Sequence, residues 1–478
     1  MHNNGGCMFM KEFYKNCQVF TPKDIVDFML NTIEYNSSLF GKKVLENSCG
    51  DGNILVEIVK MYINTSLAEG YSIKEIKNGL EKDIYAYEID SRHLQKCLER
   101  LNNEVKNFGI KNVNWKIFES DFLKEDIQMR FDYIIGNPPY ISYSDLDIET
   151  RIYIKSNFIS CEEGKPDYYY AFIEKSLSIL NQSGKLVYLI PNNIFKNRFG
   201  QQIRELILPK IRGIIDYDDI KLFNKKLTTS SIIICNNEEV NNIKYRNMSK
   251  HIEYNINKES LENKWFFNNL NENIEYDNTF GDNYDVFISI ATLLNEAFVL
   301  KEFEENEQYI IVGEDSIEKE IVRDAASPRG LTLNKKEKII FPYNYHNGKL
   351  VRIGSKFQKK YPGTFQYLNR FRKKLDKRKK DVSAQWYEYG RSQALSHLNQ
   401  EKLLMSTIIS KQVIINRLDE NVIPYSGIVI TSKENNDLNR AIEILTSQRF
   451  IDYVNIVGIK SNGTSVRISV NDIKNYRY

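Results

Sequence analysis

The apolar positions in the first half of the chain fall into short runs separated by amphipathic stretches. Residues 43–46, 84–90, 113–118, 131–136, 184–191, 214–217 and 231–235 are rich in Val, Ile, Leu, Tyr and Phe and end in turn residues, which predicts buried strands. Between them the spacing is helical. Ile25, Val26, Met29, Leu30 and Ile33 share one face, as do Leu94, Cys97, Leu98 and Leu101 within 91–108. Residues 54–59 and 169–180 also read as helices. Strands alternating with helices predict an α/β domain built on a doubly wound sheet. Before the first helix, Thr21 is expected as N-cap with Pro22 at the first helical position.

Chemistry is expected where the strands end, because open α/β sheets bind ligands at that edge. After 43–46 comes Asn47-Ser48-Cys49-Gly50-Asp51-Gly52-Asn53. Its glycines let the backbone approach a ligand closely. A full Gly-x-Gly-x-x-Gly is absent, which disfavours a dinucleotide. Glu46 would repel phosphate and suits the ammonium of a methionine-type ligand; a purely structural turn is the plain alternative. The second strand ends in acids, and Glu88 is placed where such folds hold ribose hydroxyls. After the third strand, Asp121 could accept from an adenine amino group with Phe122 against the ring. The pair also reads as a cap beside a core residue.

The most distinctive stretch is Asn137-Pro138-Pro139-Tyr140, directly after Tyr133-Ile134-Ile135-Gly136. Two prolines fix φ and remove two donors, so strand and helix both stop there. The corner offers the Asn137 side-chain oxygen and the Pro138 carbonyl as neighbouring acceptors, with the Tyr140 ring as a flat face. Two acceptors and a ring suit an amino group on a planar heterocycle, such as a nucleobase. A Pro-rich strand exit is the bland alternative.

Composition narrows the picture. A chain of 478 residues has room for more than one domain. Lys and Arg number 66 against 63 Asp and Glu, so charge must be judged locally. Cysteines at 7, 17, 49, 97, 161 and 235 form no Cys-x-x-Cys pair, which argues against zinc and a disulfide framework. The sequence shows no signal peptide and no apolar run long enough for a bilayer, so a cytoplasmic, membrane-free protein is expected. Residues 236–280 are rich in Asn, Glu and Lys and read as a connection of limited structure. Farther on, 356–380 is densely basic and includes Arg370, Arg372, Lys373, Lys374 and Arg378. Phe357, Tyr361, Phe365, Tyr367 and Phe371 interleave it, a pattern that fits a phosphate-tracking surface or a solvated helix face.

In order, the chain carries a Thr-Pro helix start, Glu46 with a Gly-x-Gly turn, an acid-ended strand, Asp121-Phe122 and Asn137-Pro-Pro-Tyr. In these it resembles the gamma-class, TaqI-like adenine-N6 DNA methyltransferases of restriction-modification systems, over about residues 18–235. The resemblance implies S-adenosylmethionine as methyl donor and a Rossmann-like catalytic domain. A separate α+β target-recognition domain would follow. It implies that Thr21, Glu46 and Ser48 contact the methionine part, although Glu46-Asn47-Ser48 departs from the commoner acid-x-Gly form. Glu88 would contact the ribose, Ile89 and Phe122 the adenine face, and Asp121 its amino group. Phe172 would close the apolar pocket, with Asn137 and Pro139 bordering the cofactor. Asn137, Pro138, Pro139 and Tyr140 would form the catalytic corner. Phe223 matches the aromatic that stacks on a flipped base opposite Tyr140, with Lys225 and Lys226 near phosphate.

The expected organisation is therefore a catalytic domain over 1–240, a connecting segment over 241–280 and a recognition domain over 281–478. No metal is required. Double-stranded DNA is the expected partner, and no nuclease motif is evident, so any restriction endonuclease would be a separate protein. Three other readings stay open. Cytosine-N4 methyltransferases use the same chemistry but more often carry Ser at the position of Asn137. Protein glutamine methyltransferases share Asn-Pro-Pro-Tyr but are shorter and lack a basic C-terminal domain. A non-catalytic DNA-specificity subunit would leave the catalytic motifs unexplained.

Overall fold

The structure is a computed structural model that describes residues 21–218, 220, 222, 229–261, 263–267, 278–434, 436–461 and 465–478. It divides into two compact units, Met1–Asn268 and Asn269–Tyr478.

The first unit is built on nine strands. They are β1 (Val44–Glu46), β2 (Ile84–Glu88), β3 (Lys116–Glu119), β4 (Phe131–Gly136), β5 (Leu180–Pro191), β6 (Ile211–Asp216), β7 (Ser230–Asn236), β8 (Asn242–Asn247) and β9 (Ile252–Asn257). Their order in the sheet is β3-β2-β1-β4-β5-β7-β6-β8-β9. β3, β2, β1, β4 and β5 run parallel, and β7 is antiparallel to both β5 and β6. The helices are α1 (Lys23–Thr32), α2 (Asn53–Ala68), α3 (Ile73–Asp83), α4 (Ser91–Lys106), α5 (Ile148–Asn157), α6 (Tyr169–Ser178) and α7 (Gln201–Ile207).

Side chains of a strand point alternately to the two faces, and here both faces are buried. Leu186, Tyr188 and Ile190 of β5 enter one core with Tyr169, Phe172 and Ile173 of α6. Val187 and Leu189 enter the other, with Ile25, Val26, Met29 and Leu30 of α1 and Leu55, Ile58 and Val59 of α2. This double coverage explains why β5 reads as a continuous apolar run. β1 has β2 on one side and β4 on the other, so the strand order reverses there and a crevice opens at the strand ends.

Two expectations are corrected. Pro22, not Thr21, is the N-cap of α1, and no side chain caps it. The Pro22 carbonyl instead accepts from Ile25 and Val26 N–H, at 3.1 Å each. The polar segment after β7 is not a connection of limited structure. β8 pairs with β6 and β9 with β8, extending the sheet. Ile243 and Tyr245 are buried while Asn242 and Lys244 are exposed, the alternation of a strand with one wet face. Trp265 is also buried, stacked on Phe195 with centroids 5.9 Å apart.

The second unit is mixed α and β. One four-stranded antiparallel sheet joins Tyr284–Ile288, Ile428–Ser432, Lys402–Met405 and Ile415–Leu418. Another joins Val299–Leu300, Glu337–Ile340, Val322–Ala326 and Ile423–Pro424. Helices Leu438–Thr446 and Gln448–Val457 carry buried apolar faces. Among the described residues, no helix is long and apolar enough to cross a membrane.

Candidate active site

The turn after β1 is fixed by backbone polarity. Cys49 N–H donates to the Tyr87 carbonyl of β2 at 3.0 Å, and Gly52 N–H to the Cys49 carbonyl at 2.8 Å. Glu88, at the end of β2, accepts from Gly50 N–H and from Asp90 N–H, each at 2.8 Å. Gly52 has φ +81°, and a Cβ there would lie 2.7 Å from the Cys97 Sγ. Only glycine meets both conditions without strain.

Beneath the turn lies a buried polar cluster. Asn47 Nδ2 donates to Ser176 Oγ at 2.9 Å and to the Tyr188 hydroxyl, and those two hydroxyls bond at 2.7 Å. The cluster ties β1, β5 and α6 together from inside, where satisfied polar groups rigidify a core.

The Asn137 corner is held from three sides. Asn137 Nδ2 donates to Thr21 Oγ1 at 3.1 Å, and Ser48 Oγ donates to the Asn137 carbonyl at 3.3 Å. The first bond orients the amide with its nitrogen towards Thr21, leaving Oδ1 as the acceptor on the opposite branch. The second links the β1 turn to the corner. The Tyr140 hydroxyl donates to the Leu189 carbonyl of β5 at 2.9 Å. Its ring meets Tyr169 edge-on, with centroids 6.1 Å apart. Burial holds the Tyr140 phenol neutral.

One cavity gathers these groups. Thr21, Glu46, Ser48, Glu88, Ile89, Asp121, Phe122, Asn137, Pro138, Pro139, Tyr140 and Phe172, all expected from the sequence, line it. Asn47, Cys49, Gly50 and Asn53, from the turn expected to approach a ligand, line it too, and so do Ile54, Asp90, Ser120 and Tyr168, which sequence reasoning missed. In its lining, Phe122 and Phe172 pack with centroids 5.7 Å apart. Three of its polar atoms are unsatisfied. Glu46 Oε2, Asn47 Oδ1 and Ser120 Oγ are buried and have no hydrogen-bond partner. A buried carboxylate oxygen without a partner is costly, so burial pushes Glu46 well above the usual carboxylate range, with Cys97 and Glu88 adding to it and the Leu55 N–H only partly countering it. Burial also raises Glu88 and Asp121, against the N–H groups that each accepts. Asp121 is a cap as well: its Oδ1 accepts from Leu123 N–H at 3.0 Å.

The expected DNA-contacting residues are distributed differently. Phe223, Lys225 and Lys226 lie outside the described residues. In the second unit, Arg370 pairs with Asp315 at 2.9 Å, Arg372 with Asp376 at 2.6 Å and Lys374 with Glu296 at 2.7 Å. Arg372 also lies over the Trp386 ring, 4.4 Å from its centroid. Lys373 is exposed. Arg378 is engaged within the unit. Its guanidinium donates to the carbonyls of Leu375, Thr292, Trp386 and Glu388, which leaves little for a phosphate. The interleaved aromatics are corrected: Phe357, Tyr361 and Tyr367 are core residues, and Phe365 and Phe371 pack against that core.

The Eco57I restriction-modification methylase family matches residues 51–223. The chain is 29% identical over 229 residues to Type II methyltransferase M.BstVI of Geobacillus stearothermophilus, across 44% of this chain and 40% of that protein. It is 28% identical over 385 residues to Type II methyltransferase M.AccI of Acinetobacter calcoaceticus, across 72% of this chain and 65% of that protein. The chain thus spans less than two thirds of the length of either relative. Among solved structures, the Type IIL restriction-modification enzyme MmeI, in complex with DNA, aligns with a TM-score of 0.61. It does so at 14% identity over 95% of this chain and 64% of that one, a likeness of fold.

Proposed function

We propose that this chain, whose residues 51–223 match the Eco57I restriction-modification methylase family, transfers a methyl group from S-adenosylmethionine to the N6 amino group of an adenine flipped out of double-stranded DNA. The observation that carries the reading is one cavity with a buried carboxylate oxygen, Glu46 Oε2, that has no hydrogen-bond partner, and the Asn137-Pro-Pro-Tyr corner in its wall.

The donors and acceptors fit the cofactor. Glu46 Oε2 lacks a cation, and the methionine ammonium would supply one. Glu88 would hold the ribose hydroxyls and Asp121 the adenine amino group. Ile89, Phe122 and Phe172 would enclose the adenine ring, with Thr21, Ser48 and Pro139 around the methionine part. When bound, the cofactor supplies a methyl group already activated by its sulfonium.

The residues of the corner do the rest. An adenine amino group is a weak nucleophile because its lone pair is delocalised into the ring. Asn137 Oδ1 and the Pro138 carbonyl would accept its two hydrogens and draw the nitrogen towards tetrahedral geometry. Those bonds strengthen as positive charge grows on nitrogen, so they favour the transition state over the ground state. Extruding the base costs a few kcal/mol, offset by stacking on Tyr140 and, in the resembling family, on the aromatic matched by Phe223. The Thr21 and Leu189 contacts hold amide and ring in place before the base arrives, which is the orientation contribution.

The second unit is assigned target recognition, with Arg370, Arg372, Lys373 and Lys374 near phosphate. A restriction endonuclease encoded separately is the partner this role implies. The test is transfer of labelled methyl from S-adenosylmethionine to unmethylated DNA, followed by digestion to nucleosides. Label in N6-methyladenosine is expected. Label in N4-methylcytosine would replace the base and keep the mechanism. Label absent from DNA, with the cofactor bound, would overturn the reading.

A further inference from the structure

Next to the catalytic corner, on the β5 side, lies a second polar cluster that no step above uses. Asp167 precedes α6. Its Oδ2 accepts from Asn197 Nδ2 at 3.4 Å, and the Asn193 amide also bonds to the carboxylate. Asn193 Oδ1 in turn accepts from the Tyr169 hydroxyl at 3.1 Å. Tyr169 is buried and meets Tyr140 edge-on. The path from Asp167 to the stacking ring therefore runs through one amide and one phenol, each held in a single orientation by its neighbours.

This carboxylate is placed at a cost. Burial raises Asp167 to about 6, and the two asparagines only partly counter it. Among the described residues, no ion pair offsets that cost. The phenols of Tyr169 and Tyr170 are held neutral by burial. The Arg204 guanidinium donates through Nη1 to the carbonyls of Ile194 and Asn197, at 2.7 and 2.9 Å, and its Nε is buried without a hydrogen-bond partner. The other charged groups nearby in sequence are Lys165 on the loop of Asp167 and Lys196 and Arg198 on the facing segment. A group that only served the fold would be paired or neutral. Asp167 has amide partners but no ion-pair partner among the described residues, and it stands beside the corner.

We propose that Asp167, through Asn193 and Tyr169, is a positioning residue that holds the Tyr140 ring in the orientation that receives the extruded base. The proposal rests on the methyltransferase reading above. The ionised carboxylate accepts from the Asn193 amide, which keeps the amide oxygen turned to Tyr169. Protonation removes an acceptor, lets the amide turn over and frees the Tyr169 hydroxyl. The wall behind Tyr140 then loosens. Cofactor binding is unaffected, because Glu46, Glu88 and Asp121 lie elsewhere in the cavity lining.

The test compares wild type with Asp167→Asn in the full chain. Single-turnover methyl transfer is measured at saturating S-adenosylmethionine from about pH 5 to about pH 8. Cofactor affinity, thermal midpoint and the fluorescence of 2-aminopurine at the target position are followed alongside. Wild-type turnover should fall as pH drops through about 6. The variant should be about tenfold slower at neutral pH, flat across the range and weaker in flipping. Its cofactor affinity should be unchanged and its thermal midpoint unchanged or higher, since an unpaired buried charge has been removed. A structural role predicts the opposite: a lower midpoint, with turnover and cofactor affinity falling together. That outcome, or a variant with wild-type turnover and pH profile, overturns the proposal. If the variant does not fold, Tyr169→Phe, which removes the hydroxyl that Asn193 holds, takes its place, and wild-type turnover and base flipping in that variant overturn the proposal. Wild type that transfers no methyl to DNA sinks the parent reading instead.

Discussion

Thr21 Oγ1 lies 3.1 Å from Asn137 Nδ2, joining the start of the described chain to the end of β4 across a separation of 116 residues. Thr21 is buried, so its hydroxyl has little access to water as a substitute partner. The threonine expected to cap a helix instead orients the amide to which the proposed mechanism assigns the chemistry. Thr21→Val keeps shape and removes the acceptor. The amide then loses its fixed orientation, and turnover should fall about tenfold, equivalent to about 1.4 kcal/mol. Thr21→Ser should restore most of it. Single-turnover rates of both variants check this, and equal rates in Thr21→Val and wild type would refute the positioning role.

Asn137→Ala removes the side-chain acceptor itself. Transfer should be lost while S-adenosylmethionine still binds, since the cofactor's main polar contacts are assigned to Glu46, Glu88 and Asp121. Equilibrium binding alongside the labelled transfer assay separates the two effects. Measurable turnover by this variant contradicts the mechanism.

Glu46→Gln should raise stability and lower cofactor affinity together. The folded carboxyl titrates well above its unfolded value of about 4.3. The fold therefore binds that proton more tightly than the unfolded chain. Stability from this group is full below the unfolded value and is lost as pH rises from there through the raised folded one. The glutamine variant, having no charge to bury, should melt higher than wild type at pH above that window and show less decline across it. It should also bind S-adenosylmethionine about tenfold or more weakly, because the ammonium loses its counter-charge. Thermal melts across pH, with and without cofactor, measure both.

The Asn137-Pro-Pro-Tyr corner was legible as part of a ligand-sized cavity because its residue types are forced. Two prolines, an amide and a ring after an apolar strand leave few alternatives, and the residues expected around them do line one cavity. What supports the corner was not legible. Asn47, Ser176 and Tyr188 bond only because the sheet brings together positions up to 141 residues apart. β8 and β9 escaped notice because strands near a sheet edge carry many polar residues, and Asn-Ile-Lys-Tyr-Arg-Asn shows its alternation only when read two residues at a time. Arg378 looked like its basic neighbours, and nothing in sequence distinguishes a guanidinium facing water from one facing carbonyls.

Tyr188→Phe isolates the support beneath the turn. It leaves Asn47 Nδ2 with Ser176 as acceptor but removes the second partner of both groups. A buried donor left short of a partner costs about 1–3 kcal/mol. The first unit should melt a few degrees lower, by about 2–4 °C per kcal/mol for a domain of its size. Cofactor affinity should fall with it, since Asn47 lines the cavity. An unchanged midpoint would show that the cluster is not needed for stability.

Lys373 and Arg378 differ by five positions and should respond in opposite ways. Lys373 is exposed, with arginine and lysine neighbours whose charges are partly cancelled by Asp315, Asp376 and Glu296. Lys373→Ala should leave the thermal midpoint unchanged and weaken DNA binding at low salt. If Lys373 meets a phosphate, the slope of log affinity against log salt should shrink by about 1, because one fewer counterion is released. Arg378→Ala should instead strand four carbonyls, those of Leu375, Thr292, Trp386 and Glu388. Carbonyls left unsatisfied in a partly buried site cost stability, so the midpoint of the second unit should fall by several degrees. At temperatures where the variant is folded, its salt slope should match wild type. A changed slope with an unchanged midpoint in Arg378→Ala would return that residue to the DNA-binding surface.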